Sequence, residues 1–125
     1  LDPEGDVQRV RAVRQALPHH ILRLDADGGY TVRQALDVAR ALEHVLEMLE
    51  QPTTAADLPG LRQVKEISPI PVLADQSLSG TTSALKLVSN HIVDGLSIKL
   101  ATCGGLRNAH QIDVIARAGN GHEQF

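Results

Sequence analysis

The sequence predicts an α/β chain built on a parallel sheet, and three observations carry that prediction. Short apolar runs alternate with segments whose apolar residues recur at helical spacing. Turn and capping residues punctuate every switch between the two periods. Four of the apolar runs end in an ionisable residue, Asp25, Glu50, Asp75 and Lys99, at intervals of 25, 25 and 24 residues. Four strands alternating with five helices are the grammar of βαβ units.

Each element has its own local reason. Asp2, Pro3 and Glu4 supply an N-cap, a first-turn proline and an early acidic residue for a helix carrying Val7, Val10, Val13 and Leu17, which Pro18 stops. The run HHILRLDA is a strand, and DGG is the loop after it. Thr31 with Gln34 forms a capping box that opens a helix through Ala35, Ala39 and Leu42. VLEMLE is the second strand, followed by a helix on Leu58, Leu61, Val64 and Ile67. IPVLAD is the third strand and TSALKLVS its helix. GLSIKL is the fourth strand, Thr102 to Gly105 a turn, and Leu106 to Arg117 the last helix. Two glycines, Gly104 and Gly105, fall short of a phosphate-binding fingerprint, and Cys103 is expected to be a small turn or packing residue.

Composition bounds the partners. A chain of 125 residues, 42% hydrophobic and 22% charged, is long enough for one buried core. With a net charge of -3, and Arg9, Arg11 and Arg14 as its densest basic cluster, no nucleic-acid partner is expected. No apolar run reaches membrane-spanning length, so no membrane partner is expected either. One cysteine and the lack of a signal-type apolar stretch near Leu1 lead to a cytoplasmic expectation.

The phase of the four ionisable residues points to chemistry. In parallel α/β folds, side chains at the carboxyl ends of the strands converge on one mouth. Any single Asp or Glu at a strand end is ordinarily a cap or a solvated loop residue, and a lone lysine there ordinarily extends its charge to water. Four in register are a different matter. Three converging carboxylates repel one another unless a cation lies among them, and a hard divalent ion such as Mg²⁺ or Mn²⁺ prefers such an all-oxygen set. His19 and His20 open a strand, while His44, His91, His110 and His122 are scattered, so a zinc site is not expected.

The motifs LRLDADGG, LEQP, VLADQS and LSIKLATCGGL resemble, in order and spacing, the barrel domain of the enolase superfamily, in its muconate-lactonizing (muconate cycloisomerase, mandelate racemase-like) branch. The resemblance implies half of a TIM-type (β/α) barrel with four parallel strands. It implies Asp25, Glu50 and Asp75 as ligands of one Mg²⁺, and Lys99 as a general acid/base or as a cation beside an enolate. The implied reaction is abstraction of a proton α to a carboxylate, in a cycloisomerase, epimerase, racemase or dehydration-type enzyme acting on a carboxylate-bearing small molecule. A divalent ion would offset the negative charge that develops. The alternative is a non-catalytic half-barrel that binds metal or serves only in assembly.

Two motif positions depart from the family pattern. Asp27 stands where asparagine is usual and Gln76 where glutamate is usual, both beside the implied ligands. Relative to the family, residues 1–125 are expected to form a single partial barrel domain without the capping domain, the early strand with its Lys-x-Lys pair, or the final strands. Such a half-barrel would have open edges at Ile21 to Asp25 and at Leu96 to Leu100, and an open apolar inner face. A homodimer closing an eight-stranded barrel is expected to cover them.

Overall fold

A computed structural model describes residues 2–120. In chain order the elements are α1 (Pro3–Ala16), β1 (Arg23–Asp25), α2 (Val32–Ala41), β2 (Met48–Glu50), α3 (Leu58–Ile67), β3 (Val72–Ala74), α4 (Thr81–Ser89), β4 (Gly95–Leu96), α5 (Leu100–Cys103) and α6 (Leu106–Asn120). The strands form one parallel sheet in the order β1-β2-β3-β4, each joined to the next through a helix.

Local chemistry explains the boundaries. The Thr31 hydroxyl accepts the Gln34 N–H at 3.2 Å and the Gln34 side chain accepts the Thr31 N–H at 2.9 Å, which is the capping box read from the sequence. Asp57 caps α3 in the same way, its carboxylate accepting the Gly60 N–H at 2.9 Å. Asp2 occupies the N-cap position of α1, but its side chain makes no capping bond. Arg14 closes the turn after α1: its guanidinium donates to the carbonyls of Leu17, Pro18 and His20, and to Val45 O before β2 at 2.7 Å. His19 and His20 lie in that turn rather than in a strand, because these bonds hold the backbone away from the sheet.

Alternation along the strands divides the sheet into two faces. Leu49, Val72, Ala74 and Leu96 turn toward the helices and are buried with Ala35, Val38, Leu42, Leu61, Val64, Leu87 and Ile112. Each fully buried leucine in that layer contributes about 1.5–3 kcal/mol relative to exposure. The opposite face carries Arg23, Asp25, Met48, Glu50 and Leu73, and is less buried than the helix-covered one. The expected apolar inner face is therefore corrected to a mixed one: charged residues occupy most of its positions, and the core lies on the helix side.

A further correction is at the fourth strand. GLSIKL pairs only through Gly95 and Leu96, with one further bond from Ser97 N–H to Ala74 O at 2.8 Å. The chain then coils into the turn α5, in which Cys103 N–H donates to Lys99 O at 3.0 Å and Gly104, at φ 92°, ends the turn. As an edge strand, β4 has no neighbour beyond it among the described residues to hold Ile98 to Leu100 extended. Cys103 is buried in that turn as a packing residue. No described helix is long and apolar enough to cross a membrane.

Candidate metal centre

The sheet delivers three carboxylates to one point. Asp25 and Glu50 are the last residues of β1 and β2 and lie level with each other. Asp75 follows β3, two residues beyond Leu73, which is the partner of Glu50. One carboxylate oxygen from each of the three can be chosen so that all lie within 4.8 Å of one another. Asp25 is exposed, Glu50 half-buried and Asp75 buried. No other group of three Asp, Glu, His or Cys side chains among the described residues converges in this way.

The backbone beneath the triad is pinned past the ends of the strands. Ala26 N–H donates to Glu50 O at 3.0 Å, Gly28 N–H to Gln51 O at 2.8 Å, and Gln51 N–H to Leu73 O at 2.8 Å. Gly28 adopts φ +72°, and a Cβ there would lie 3.3 Å from Thr54 Cα and 3.4 Å from Thr53 O, so both conformation and space call for glycine.

Lys99 is the cation of the mouth. It does not end a paired strand, as its place in GLSIKL predicted, but stands at the N-cap position of α5. From there its ammonium donates to Asp75 Oδ2 at 2.5 Å, with the lysine half-exposed and the carboxylate buried. That hydrogen bond is the main reason its pKa lies above the ordinary 10.5. Partial desolvation opposes the shift, and the charges of Asp75, Glu50 and Asp25 add to it.

The two departures from the family pattern also meet. The Asp27 carboxylate accepts a hydrogen bond from the Gln76 side-chain amide, and Asp27 N–H donates to Asp25 Oδ1 at 2.9 Å. Three carboxylates, those of Asp25, Glu50 and Asp75, act on one ammonium. At 4.8 Å, two carboxylates repel by about 3 kcal/mol at an effective dielectric constant of about 20, so the cluster favours a further cation. The donor set is all oxygen, which fits a hard divalent ion such as Mg²⁺.

One residue escaped sequence reasoning. Gln51, within LEQP, is fully buried at φ 38° and uses its whole amide. Its Oε1 accepts Asp75 N–H at 2.9 Å and Ser77 N–H at 3.1 Å, and its Nε2 donates to Thr53 O and Ser77 Oγ, each at 2.9 Å. The only sequence signal was an amide between a strand end and a proline. A surface groove at the amino ends of the strands, among His19, His20, His44 and Glu47, brings no ligand cluster together among the described residues.

Comparison with known proteins identifies the fold. Residues 1–121 match the family model described as enolase C-terminal domain-like. The chain is 39% identical over 114 residues to a hydrophobic dipeptide epimerase of Enterococcus faecalis, covering 90% of this chain and 32% of the epimerase. It is 33% identical over 120 residues to muconate cycloisomerase 1 of Rhodococcus opacus, covering 94% and 32%. The crystal structure of the dipeptide epimerase from E. faecalis in complex with Mg and the dipeptide L-Leu-L-Tyr superposes with a TM-score of 0.92 at 35% identity, over 96% of this chain and 34% of that one. The chain thus spans about a third of the length of these relatives. Its four parallel strands match part of the barrel domain that these enzymes share, and the chain belongs to the enolase superfamily.

Proposed function

We propose that residues 1–125 form the metal-binding part of an enzyme that abstracts a proton α to a carboxylate, in an isomerase-type reaction. The observation that carries this reading is the convergence of Asp25, Glu50 and Asp75 within 4.8 Å, with Lys99 hydrogen-bonded to the most buried of them. Asp25, Glu50 and Asp75 would hold Mg²⁺ or Mn²⁺, which when bound offsets negative charge developing on a substrate carboxylate. Lys99 serves as a general acid or as a fixed cation beside the enolate, because Asp75 keeps it protonated. Dipeptides are the first substrates to try, on the likeness to the E. faecalis epimerase.

Calorimetry with Mg²⁺ tests the metal site. Binding heat and a raised melting temperature are expected for the chain, and both are expected to vanish in Glu50→Gln. Equal and negligible effects in the two proteins would remove the reading. Solvent deuterium exchange into dipeptides, followed by NMR, tests the chemistry. Exchange is expected to be slow, because Lys99, held as acid or cation, is the one lysine at the mouth among the described residues, and acid and base groups contribute roughly 10²–10⁴-fold each. Vigorous exchange that survives Lys99→Ala would show that another residue moves the proton.

We further propose that the edges of β1 and β4, unpaired among the described residues, are paired by parallel strands from a second copy of the chain, closing an eight-stranded barrel. The exposed apolar side chains Ile21, Leu100 and Leu106, close in sequence to those edges, favour such cover. Sedimentation equilibrium at micromolar concentration is expected to show a dimer, and a folded, soluble monomer would exclude this arrangement.

A further inference from the structure

We infer that the Gln76–Asp27 hydrogen bond is a strap that fixes the separation of the first and third carboxylates for an ion, and that it can do so with its donor and acceptor exchanged. The inference rests on the metal reading above. The two residues are 49 apart in sequence, one in the loop after β1 and the other directly after Asp75. Asp27 is tied at its other end, its N–H donating to Asp25 Oδ1 at 2.9 Å. A continuous path therefore runs from Asp25 through Asp27 and Gln76 to Asp75, passing over the strand that carries Glu50.

Three features mark this bond as a positioning device. Both side chains are exposed, so the bond lies outside the core and its loss leaves the buried layers intact. Asp27 adopts φ 49°, a left-handed conformation that aspartate tolerates better than most residues. An ionised acceptor makes the bond charge-assisted, stronger and shorter than a neutral one. Gln51 ties the loop after β3 to the loop after β2 through the backbone of Asp75, and the strap ties the same β3 loop to the loop after β1.

The polarity follows from donor and acceptor chemistry. A carboxylate only accepts, whereas an amide both donates and accepts. A carboxylate at 27 with an amide at 76 makes one strong bond, and an amide at 27 with a carboxylate at 76 makes the same bond with the same total charge. Carboxylates at both positions would repel, and amides at both would lose the charge assistance.

Isothermal titration calorimetry with Mg²⁺ on the 125-residue chain and two variants tests this, with thermal melting of the metal-free proteins alongside. Gln76→Leu removes the donor without changing charge, and is expected to weaken Mg²⁺ affinity by about 10-fold, in the range usual for groups that orient ligands. Its metal-free melting temperature is expected to stay at the wild-type value. The exchange variant Asp27→Asn/Gln76→Glu is expected to recover near wild-type affinity. Unchanged affinity in Gln76→Leu, a matching fall in its metal-free stability, or an exchange variant as weak as Gln76→Leu would overturn the strap and leave the metal reading standing. No binding by the wild type would overturn both.

Discussion

Gln51 Oε1 accepts the backbone N–H of Asp75 at 2.9 Å, so the residue that follows the second carboxylate fixes the position of the third. The same oxygen also takes the N–H of Ser77, and the amide nitrogen bridges to Thr53 O and Ser77 Oγ. A side chain with no charge thus ties together the loops that follow β2 and β3 at the mouth.

Gln51→Leu keeps the volume and strands those partners. Burying an unsatisfied backbone group costs about 1–3 kcal/mol, so a loss of roughly 2–4 kcal/mol is expected in chemical denaturation. The m-value should stay constant. Wild-type stability in this variant would mean that the Gln51 bonds are replaced at no cost.

Lys99 sets an alkaline limit. Its pKa is raised in the folded chain by Asp75, so its contribution is fully present below 10.5 and is lost as pH rises through the higher folded value. Denaturation midpoints across that window are expected to fall more steeply in the wild type than in Lys99→Met. Because the ammonium is solvent-screened, the difference should also shrink in high salt. Parallel pH profiles would show that the 2.5 Å pair adds nothing to stability.

Tyr30 is the one tyrosine in the chain, and there is no tryptophan, so its ionisation can be followed by ultraviolet absorbance. Burial first, and then its hydrogen bond to Asp6 at 2.7 Å, push its phenol well above the ordinary 10.0. The sign is that of Lys99: stability is present below pH 10 and lost above it. Phenolate absorbance should appear only as the chain unfolds. Asp6→Asn should lower the folded-state pKa, and free titration near 10 in the native wild type would contradict the buried placement.

Gly119 sits where α6 crosses α4. A Cβ there would lie 1.8 Å from Val88 Cγ1, too close for any contact, so Gly119→Ala must displace a buried valine. A loss of about 1–3 kcal/mol is expected, with partial recovery when Val88→Ala is added. An unaffected melting temperature in Gly119→Ala would show that the end of α6 moves freely.

What the sequence made legible follows from repetition. Each βα unit has almost the same length, so Asp25, Glu50, Asp75 and Lys99 fall in phase and their convergence can be read from spacing. The capping box at Thr31 was legible because both partners lie three residues apart. The Gln51–Asp75, Tyr30–Asp6 and Arg14–Val45 bonds join partners 24 to 31 residues apart, and no local pattern announces them. α5 was hidden for another reason. The apolar run through Leu100 suits a strand, but beyond Ser97 the chain makes no further ladder bond among the described residues and turns at Lys99 into α5.

The stagger of the strands limits which insertions and deletions this chain can accept. Asp25 is level with Glu50, Asp75 lies two residues beyond the partner of Glu50, and Lys99 lies three beyond Leu96. Strand side chains alternate, so loss of one residue within β2 would turn Glu50 toward the helices and Leu49 into the mouth. A residue lost from the turn at His19 and His20, at the other end of the sheet, would leave every pairing intact. Length variation among descendants of this sequence should therefore collect at the amino ends of the strands, while the few residues between strand and ligand keep their count.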